Sequence, residues 1–332
     1  MRRIQVVMGV LLLMIAPDAV SADAQAPGPA EVKVRRFDQN PVIRSEMLPG
    51  KDGANINGPS LIRVPDWIAK PLGRYYLYFA HHGGKYIRLA FADQLEGPWK
   101  IHEKGVLRLE DAPGCKDHIA SPDVIVVPER KEIRMYFHGP GKSAKGQVTF
   151  VALSPDGLSF TASDEAIAPF YFRAFRHGEM WYGMSKGGLL WRSKDGLTGF
   201  EEGPDPMPGA EGRDKPGYNK PGARHVAVQP DGQALWVYYS NIGDTPERIL
   251  RCRLELTPDW KTWRAGPPQE VLRPEKDYEG IDLPAKASSA GAAKGREHAL
   301  RDPAIFVEGG KTYLLYSVAG ESGIAIAEIC VP

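Results

Sequence analysis

Hydrophobic and polar positions in this chain follow a pattern that recurs five times. Each copy starts with a short apolar strand headed by a polar residue, and an aromatic-rich strand follows. The apolar strands lie at 58–62, 121–125, 171–175, 224–228 and 301–306, and the aromatic strands at 75–79, 133–137, 180–184, 234–239 and 312–316. Repeats of about 50 to 75 residues, each the size of one small sheet, are typical of a β-propeller. The sequence therefore predicts an all-β fold, a five-bladed β-propeller with four-stranded antiparallel blades around a central channel.

Turn segments between the third and fourth strands repeat as well. Each combines turn-forming residues with a closing aromatic residue, and an Asp-Gly pair in two of them is a hairpin signal. The closing aromatic residues are Trp99, Phe160, Phe200 and Trp263. We expect them to pack between neighbouring blades, and we expect residues 31–43 to supply the strand that closes the ring against the last blade.

The N-terminal segment has a different pattern. Arg2 and Arg3 precede a mostly apolar run over 4–15, and small residues follow. This order is typical of a secretory signal peptide, and the run is too short for a stable membrane span. We therefore predict a cleaved signal peptide over 1–26, a single propeller domain over 27–332, and a secreted or periplasmic protein without a membrane span.

Two long insertions interrupt the repeats, at 203–223 and 273–299. The first is rich in proline, glycine and charge, and the second contains a tract of small residues. Both are predicted to be loops on a rim of the propeller, where long loops tend to carry function.

Composition and charge exclude several classes of partner. The 332 residues carry a formal net charge of +1, which argues against a nucleic-acid binder. Cys115, Cys252 and Cys330 allow at most one disulfide and lack zinc-binding spacing. Cys252 lies in a strand-like segment and is interpreted as a buried free thiol. We expect a monomer that requires no metal or other cofactor.

Two aspartates stand at strand heads. Asp123 precedes a run of apolar residues in the second repeat, and Asp302 is interpreted as holding the corresponding place in the fifth. A buried carboxylate needs a partner, so each aspartate could simply cap a turn or pair with a neighbour such as Arg301. Two of them around one channel favour function, because glycoside hydrolysis uses a pair of carboxyl groups.

In these features the chain resembles the five-bladed propeller glycosidases of glycoside hydrolase families 43, 62, 32, 68 and 117. The resemblance rests on Ser121-Pro122-Asp123-Val124, on Arg301-Asp302-Pro303, and on the aromatic strands and turns. It implies a glycosidase that acts with inversion. For family 43 it further implies an Asp base in blade one, an Asp in blade two that tunes the acid, and a Glu acid in blade three. Asp123 matches the blade-two aspartate.

The other two positions depart from family 43. Asn57 stands where the base is expected, and Arg173 stands where the acid is expected. Glu279 forms a Glu-Gly pair on the loop that enters the fifth repeat, and it is a candidate proton donor. The alternative for Glu279 is a solvated loop residue.

Histidines supply further candidates for substrate binding. His81 and His82 follow the aromatic strand of the first repeat, and His138 follows that of the second, where a rim histidine can reach a sugar. His225 heads the first strand of the fourth repeat. The resemblance implies that such a histidine helps to hold a structural calcium ion in the channel or acts as an acid, as proposed for family 117. A buried structural histidine is the alternative.

Arginines at three strand heads suggest a charged ligand. Arg173, Arg224 and Arg301 together could bind the carboxylate or sulfate of an anionic sugar. Alternatively, they neutralise Asp123, Asp302 and Glu279.

These features predict a secreted glycoside hydrolase acting on plant or algal polysaccharide or on oligosaccharides derived from it. Asp123 and Asp302 would be the central carboxylates, with Glu279 or a histidine as proton donor. Two alternatives use the same scaffold, because fold alone does not settle function. One is a catalytically silent glycan-binding propeller, favoured by Asn57 and Arg173, and the other is a polysaccharide lyase.

Overall fold

Antiparallel sheets dominate the structure, a computed structural model that describes residues 32–207 and 222–330. Within these residues there are five sheets, each built around strands adjacent in sequence, and helical structure is limited to short 3₁₀ turns. This arrangement confirms the predicted all-β, five-bladed propeller. The predicted signal peptide over 1–26 and residues 208–221 of the first insertion lie outside the described residues.

The strands follow one another in blade order. Two short strands come first, β1 (Lys33–Arg36) and β2 (Ile43–Arg44). Blade 1 contains β3 (Asn57–Arg63), β4 (Tyr75–Ala80), β5 (Tyr86–Ala92) and β6 (Lys100–Arg108). Blade 2 contains β7 (Ala120–Val127), β8 (Glu132–Pro140), β9 (Gln147–Ser154), β10 (Thr161–Ala162) and β11 (Ala168–Pro169). Blade 3 contains β12 (Arg173–His177), β13 (Met180–Met184), β14 (Leu190–Ser193) and β15 (Glu201–Glu202). Blade 4 contains β16 (Gly222–Asp231), β17 (Ala234–Ile242), β18 (Ile249–Glu255) and β19 (Gln269–Leu272). Blade 5 contains β20 (Arg301–Glu308), β21 (Lys311–Ser317) and β22 (Gly323–Cys330).

Short 3₁₀ helices lie in the connections between strands. They are Ser45–Met47, Gly50–Ala54, Leu109–Asp111, Pro128–Arg130, Lys186–Gly188, Trp260–Thr262 and Asp277–Glu279. None of the described helices is long and apolar enough to cross a membrane.

The N-terminal strand closes the ring. β1 pairs antiparallel with β22, with Lys33 opposite Cys330 and Arg36 opposite Ala327, so it becomes the outermost strand of blade 5. β2 also pairs with β22, through Ile43 and Ile324. The predicted closing role of this segment is confirmed for residues 33–36. Closure of this kind joins the N-terminal segment to the last blade, and the sheet edges that remain are short.

Apolar residues form one core at each interface between neighbouring blades. The closing aromatic residues belong to these cores, and each contacts the preceding blade. The ring centre of Phe160 lies 6.0 Å from that of Tyr78, and that of Trp263 lies 4.9 Å from that of Tyr182. Trp99 shares a cluster with Leu315 of blade 5, and Phe200 packs against the cluster that contains Tyr136 of blade 2. The expected packing of these aromatic residues between blades is confirmed.

The three cysteines are all free thiols. Cys115 and Cys252 are buried, and Cys330 is exposed at the end of β22. Burial raises the pKa of both buried thiols to about 12. The interpretation of Cys252 as a buried free thiol is confirmed.

Candidate active site at the channel mouth

The innermost strands of four blades share an irregular start. A β-bulge interrupts the pairing between the first and second strands just after Asn57, Ala120, Ala223 and Arg301. A bulge inserts one extra residue and redirects the side chains around it. The backbone is left-handed at Gly58, Ser121 and Asp302 of these bulges, and at Tyr171 before β12, with φ values of 59°, 45°, 51° and 59°. The strand heads therefore form a ring of unusual backbone at one end of the channel.

The bulges correct the expected equivalence of Asp123 and Asp302. Asp123 pairs with Tyr136 directly after its bulge, and Ala304 holds that position in blade 5 opposite Leu315. Asp302 lies two residues earlier, at the left-handed position occupied by Ser121 in blade 2. Both blades carry the same bulge, so the two aspartates occupy positions two residues apart along their strands.

Arg173 spans the channel. Its guanidinium donates hydrogen bonds to the carbonyl oxygens of Pro122 at 2.8 Å, Val226 at 3.2 Å and Pro59 at 3.4 Å. These carbonyls belong to blades 2, 4 and 1, so one side chain of blade 3 connects the innermost strands of four blades. Only 7% of the side chain is exposed. This geometry explains Arg173 as a tie across the channel without invoking a substrate.

Asp123 is held between Arg173 and the backbone of blade 3. Its Oδ1 lies 3.3 Å from Arg173 Nη1, and its Oδ2 accepts a 2.8 Å hydrogen bond from the amide of Ala174. Burial raises the pKa of Asp123, and the charge of Arg173 opposes part of that rise. The Asp123 side chain as a whole keeps 14% exposure.

His225 and Asp302 form a contact pair between blades 4 and 5. His225 Nδ1 lies against Asp302 Oδ1, and Ser317 Oγ donates to Asp302 Oδ2 at 3.1 Å. The His225 ring also meets the ring of Tyr171, with centroids 3.5 Å apart. Burial lowers the pKa of His225 well below its ordinary value, and the nearby charges of Arg224 and Arg173 lower it further. The lowered pKa favours the neutral imidazole. Neither ring nitrogen of His225 has a hydrogen-bond partner among the described residues, and the same holds for Asp302 Oδ1, so the two side chains are in contact without a formed hydrogen bond.

A network of charges surrounds this pair; we call Arg224, Glu247, Glu297, Arg301 and Glu321 the mouth network. Arg301 Nε donates to Glu247 at 2.9 Å, its Nη2 donates to Glu297, and its Nη1 lies 3.5 Å from Glu321. Arg224 Nε donates to Glu247 at 2.8 Å. Glu247 has no exposed surface and also accepts from Ser240 Oγ at 2.7 Å. The two arginines thus compensate carboxylates, which supports the neutralising alternative for them, although their partners are glutamates.

Asn57 holds one of these glutamates. Its Nδ2 donates to Glu321 Oε2 at 3.1 Å, and Asn55 Nδ2 donates to the same oxygen at 2.5 Å. His82 Nδ1 lies 3.7 Å from it. The position at which the resemblance implied a base therefore carries an amide that orients the carboxylate of Glu321.

The other predicted histidines occupy distinct surroundings. His138 is buried between the rings of Phe170 and Tyr171, with centroids 5.3 Å and 4.7 Å away. Burial lowers its pKa well below the ordinary value, and its Nδ1 has no hydrogen-bond partner among the described residues. His81, by contrast, accepts a hydrogen bond from the Gly83 amide within its own loop at 3.1 Å. His138 and His82 thus belong to the channel mouth, and His81 caps a turn beside it.

Glu279 lies away from the strand heads. It is fully buried and ion-paired with Arg36 of β1 at 2.8 Å, and Tyr316 Oη donates to it at 2.9 Å. The amides of Glu275 and Lys276 donate to its other oxygen. Glu279 is therefore neither solvated nor open to a substrate, because its carboxylate is fully used in fastening the closing strand.

Lys186 is a site residue that the sequence patterns did not reveal. It lies in the loop after β13, with Nζ 5.3 Å from the centre of the Phe170 ring. Burial lowers the pKa of its ammonium group to about 7, and the charge of Arg224 contributes to this shift. A lysine that titrates near neutral pH beside the channel can bind an anion or exchange a proton.

A calcium ion does not fit the centre of this channel. Calcium prefers carbonyl and carboxylate oxygens. Here the inward carbonyls of Pro59, Pro122 and Val226 accept hydrogen bonds from the positively charged Arg173, and His225 is directed at Asp302. Across 32–207 and 222–330, no group of three or more His, Cys, Asp or Glu side chains is arranged to hold a metal ion.

Sequence comparison identifies a relative of similar length. The chain is 37% identical over 324 residues to "Uncharacterized protein R118" of Acanthamoeba polyphaga mimivirus, with 90% of this chain and 91% of that protein covered. The chain belongs to the R118 family. No model of a known protein family matches it.

Solved structures extend the comparison of this R118-family member at the level of fold. The structure of a thermostable family-43 glycoside hydrolase superposes with a TM-score of 0.55 at 16% identity, over 83% of this chain and 88% of that one. A β-xylosidase/α-arabinofuranosidase from a compost metagenome, CoXyl43, in complex with xylotriose, gives 0.55 at 13% identity, over 84% and 91%. A GH43_1 enzyme from Xanthomonas citri complexed with xylotriose gives 0.54 at 13%, over 84% and 87%. The R118-family protein therefore has the five-bladed propeller fold of these glycoside hydrolases.

Hairpin loops explain what the strand-head patterns missed. In each blade the loop after the second strand returns beside the head of the first strand, and Glu247 and Glu321 lie in these loops of blades 4 and 5. Parallel bridges join these loops to the segment before the first strand of the next blade, between Glu247 and Ala299 before β20 and between Ser322 and Ile56 before β3. The rule that drew attention to His82 in blade 1 would also have found both glutamates had it been applied to every repeat.

Proposed function

We propose that this protein is a glycoside hydrolase whose acid–base chemistry takes place at the channel mouth. The observation that carries the proposal is the contact between His225 and Asp302, at the strand-head end of a fold shared with glycoside hydrolases. A carboxylate at Nδ1 fixes the tautomer of an imidazole and leaves Nε2 as a base. Both ring nitrogens of His225 are buried and have no hydrogen-bond partner among the described residues, so Nε2 is not committed to another group.

The proposal assigns opposite roles to His225 and Asp123. The pKa of His225 is lowered, so the neutral ring accepts a proton from the attacking water. The pKa of Asp123 is raised, so its carboxyl group is the proton donor to the leaving oxygen. This reverses the expectation that a histidine donates the proton. Asp302 orients His225, and Glu279 has no part because its oxygens are already bonded.

The test is release of reducing ends from a panel of neutral and acidic polysaccharides and oligosaccharides. Wild type is compared with Asp123→Asn and Asp302→Asn, and Asp66→Asn, an exposed aspartate after β3, serves as the matched control. Loss of turnover in the first two variants, with normal melting curves and an active Asp66→Asn, is the expected result. Products that absorb in the ultraviolet through a new double bond would overturn hydrolysis in favour of a lyase.

One observation favours a second candidate, a glycan-binding propeller without turnover. The carboxylates Glu247 and Glu321 are both engaged by cations or amides, and Asn57 stands at the position where the resemblance implied a base. Saturable glycan binding by wild type without product from any member of the panel would establish this alternative.

Export is part of the proposal, because polysaccharide substrates are met outside the cytoplasm. Its support is the Arg-led apolar run over 2–15 of the sequence. N-terminal sequencing of protein recovered from the periplasm or medium should show cleavage close to residue 26. Full-length protein retained in the cytoplasm would contradict it.

A further inference from the structure

A cavity of about 380 Å³ lies within the second insertion. It is lined by Leu283, Pro284, 286–289 and 294–299, all from the loop that leads into blade 5. Ligand pockets of about 300 to 1,000 Å³ hold small molecules, so the cavity can hold a sugar residue. The sequence predicted this insertion to be a rim loop, of a length that is typical of functional or mobile loops.

The lining of the cavity is cationic. Lys286, Lys294 and Arg296 contribute positive charge, and Glu297 contributes the one carboxylate of the lining residues. Arg296 is directed elsewhere, since its Nη2 donates to the carbonyl oxygen of Asp277 at 2.6 Å. Within the described part of the chain, neither Lys286 nor Lys294 has an ion-pair or hydrogen-bond partner for its ammonium group. Both lysines are exposed, so among the described residues nothing occupies their ammonium groups and they are open to a ligand.

Glu297 does not neutralise the two lysines, because its carboxylate pairs with Arg301 of the mouth network. Its Oε2 accepts a hydrogen bond from Arg301, whose side chain is only 1% exposed. The Glu297 carboxylate pairs with the buried guanidinium rather than with a solvated lysine, because leaving the buried guanidinium without a partner would cost much more free energy. The cavity thus keeps a net positive lining.

The cavity shares a wall with the proposed active site. Arg224 Nη2 donates to the carbonyl oxygen of Ser289 at 2.5 Å, and its Nη1 donates to that of Gly291 at 3.3 Å. The Arg301–Glu297 pair forms a second connection. Through Arg224 and Arg301 the loop is fastened to the strand heads that carry His225 and Asp302. A ligand in the cavity would lie next to the channel mouth.

We propose that this cavity is a subsite for a sugar residue bearing a negative group, either the carboxylate of a uronic acid or a sulfate ester. The inference rests on the proposed function for the statement that the ligand is a carbohydrate. Lys286 and Lys294 supply the charge that recognises the anion, and the hydroxyl-bearing Ser288 and Ser289 line the same space. Neutral sugars gain none of this attraction.

The test measures binding by calorimetry, so that it does not depend on turnover. The probes are oligogalacturonides against their methyl esters, and sulfated galactan oligosaccharides against the desulfated forms. Wild type should bind at least one charged probe about tenfold more tightly than its uncharged match. The double variant Lys286→Gln/Lys294→Gln should lose that difference, and Lys286→Arg/Lys294→Arg should restore it. The pair that retains the difference identifies the anion.

A charge-matched control separates the cavity from general surface charge. Lys70→Gln/Lys104→Gln removes two exposed lysines elsewhere on the propeller and should leave the preference unchanged. Equal affinity for charged and uncharged probes in wild type, or equal loss in the control variant, would overturn the subsite. Hydrolysis of neutral glycans without a preference for acidic ones would contradict the subsite but not the hydrolase. Lysine-dependent binding of a charged probe without turnover would contradict the hydrolase but not the subsite.

Discussion

His225 places its Nδ1 against the Oδ1 of Asp302, and both side chains are buried, with 9% and 1% exposed. The two residues head the innermost strands of blades 4 and 5, so the contact exists only when the ring is assembled. Tyr171 of blade 3 packs against the other side of the imidazole. Three blades thus fix the orientation of one histidine, as expected for a group that acts at a defined point in space.

Asp302→Asn should abolish most activity while the protein stays folded. An amide at this position can no longer stabilise the Nδ1–H tautomer of His225, so Nε2 is no longer held as the base. General acid–base catalysis typically contributes about 10² to 10⁴ in rate, so kcat should fall by about that factor with little change in KM. Steady-state kinetics on the best substrate of the panel measure it.

A matched histidine controls for the loss of an imidazole as such. His102 lies on β6, the outermost strand of blade 1, and His102→Gln should keep wild-type kcat. His225→Gln should match Asp302→Asn in kcat, because the two residues act as one unit. Near-normal turnover in Asp302→Asn would show that the contact is structural.

Sequence patterns were sufficient for the fold because they are local. An aromatic residue such as Tyr78 and the closing Phe160 recur at fixed places in each repeat, and their contact between blades follows from that repetition. The closing strand was also recognisable, because a ring of repeats leaves one partner missing for β22. Hydrophobic periodicity and turn chemistry therefore carried most of the architecture.

The site was less accessible to sequence for two physical reasons. In each blade the bulge separates the left-handed position from the next paired position by two residues, so two aspartates near a strand head can differ in place: Asp302 aligns with Ser121, and Asp123 aligns with Ala304. Ion pairs across the ring join residues far apart in the chain, and Glu279 finds Arg36 243 positions away. Neither effect leaves a periodic trace, so partner identity could not be predicted for these carboxylates.

Arg173→Met should destabilise the protein strongly. It removes the donor shared by three buried carbonyls and the cation beside the Asp123 carboxyl group. Each buried acceptor left without a donor costs about 1–3 kcal/mol, so the free energy of unfolding should fall by roughly 3–5 kcal/mol. Urea denaturation measures the change.

Arg176 provides a comparison on the same strand. Its pair with Glu129 is about half exposed on both sides, so Arg176→Met should change the free energy of unfolding by no more than about 1 kcal/mol. If Arg173→Met proved no more destabilising than Arg176→Met, Arg173 would not be a tie across the channel, and its role in binding a substrate would need to be considered again.

Glu279→Gln should lower stability without lowering kcat. The fully buried carboxylate of Glu279 pairs with Arg36 of the closing strand, whose side chain is 12% exposed. Neutralising Glu279 leaves the Arg36 guanidinium without this buried partner, which should lower the free energy of unfolding by about 3 kcal/mol. Glu275→Gln is the control, because Glu275 contacts the same arginine from an exposed position. A large fall in kcat at full folding, with normal stability, would instead identify Glu279 as the proton donor.

Lys186 should make the stability of the protein depend on pH above neutrality. Burial lowers the pKa of its ammonium group from 10.5 to about 7, so between these values the unfolded chain binds a proton that the folded protein has released. The free energy of unfolding therefore rises with pH between about 7 and 10.5, and this gain is lost as the pH falls back through the same window to about 7. Urea denaturation of wild type and Lys186→Met from pH 6 to 9.5 should show wild type gaining stability relative to the variant as the pH increases.

Lys186→Arg tests the cause of this dependence. A guanidinium stays charged throughout this range, so the arginine variant should show no gain relative to Lys186→Met. A constant difference between wild type and Lys186→Met would mean that the Lys186 ammonium group titrates at the ordinary value. In that case the group would be charged at every working pH, and it could bind an anion at the channel mouth but could not exchange a proton there near neutrality.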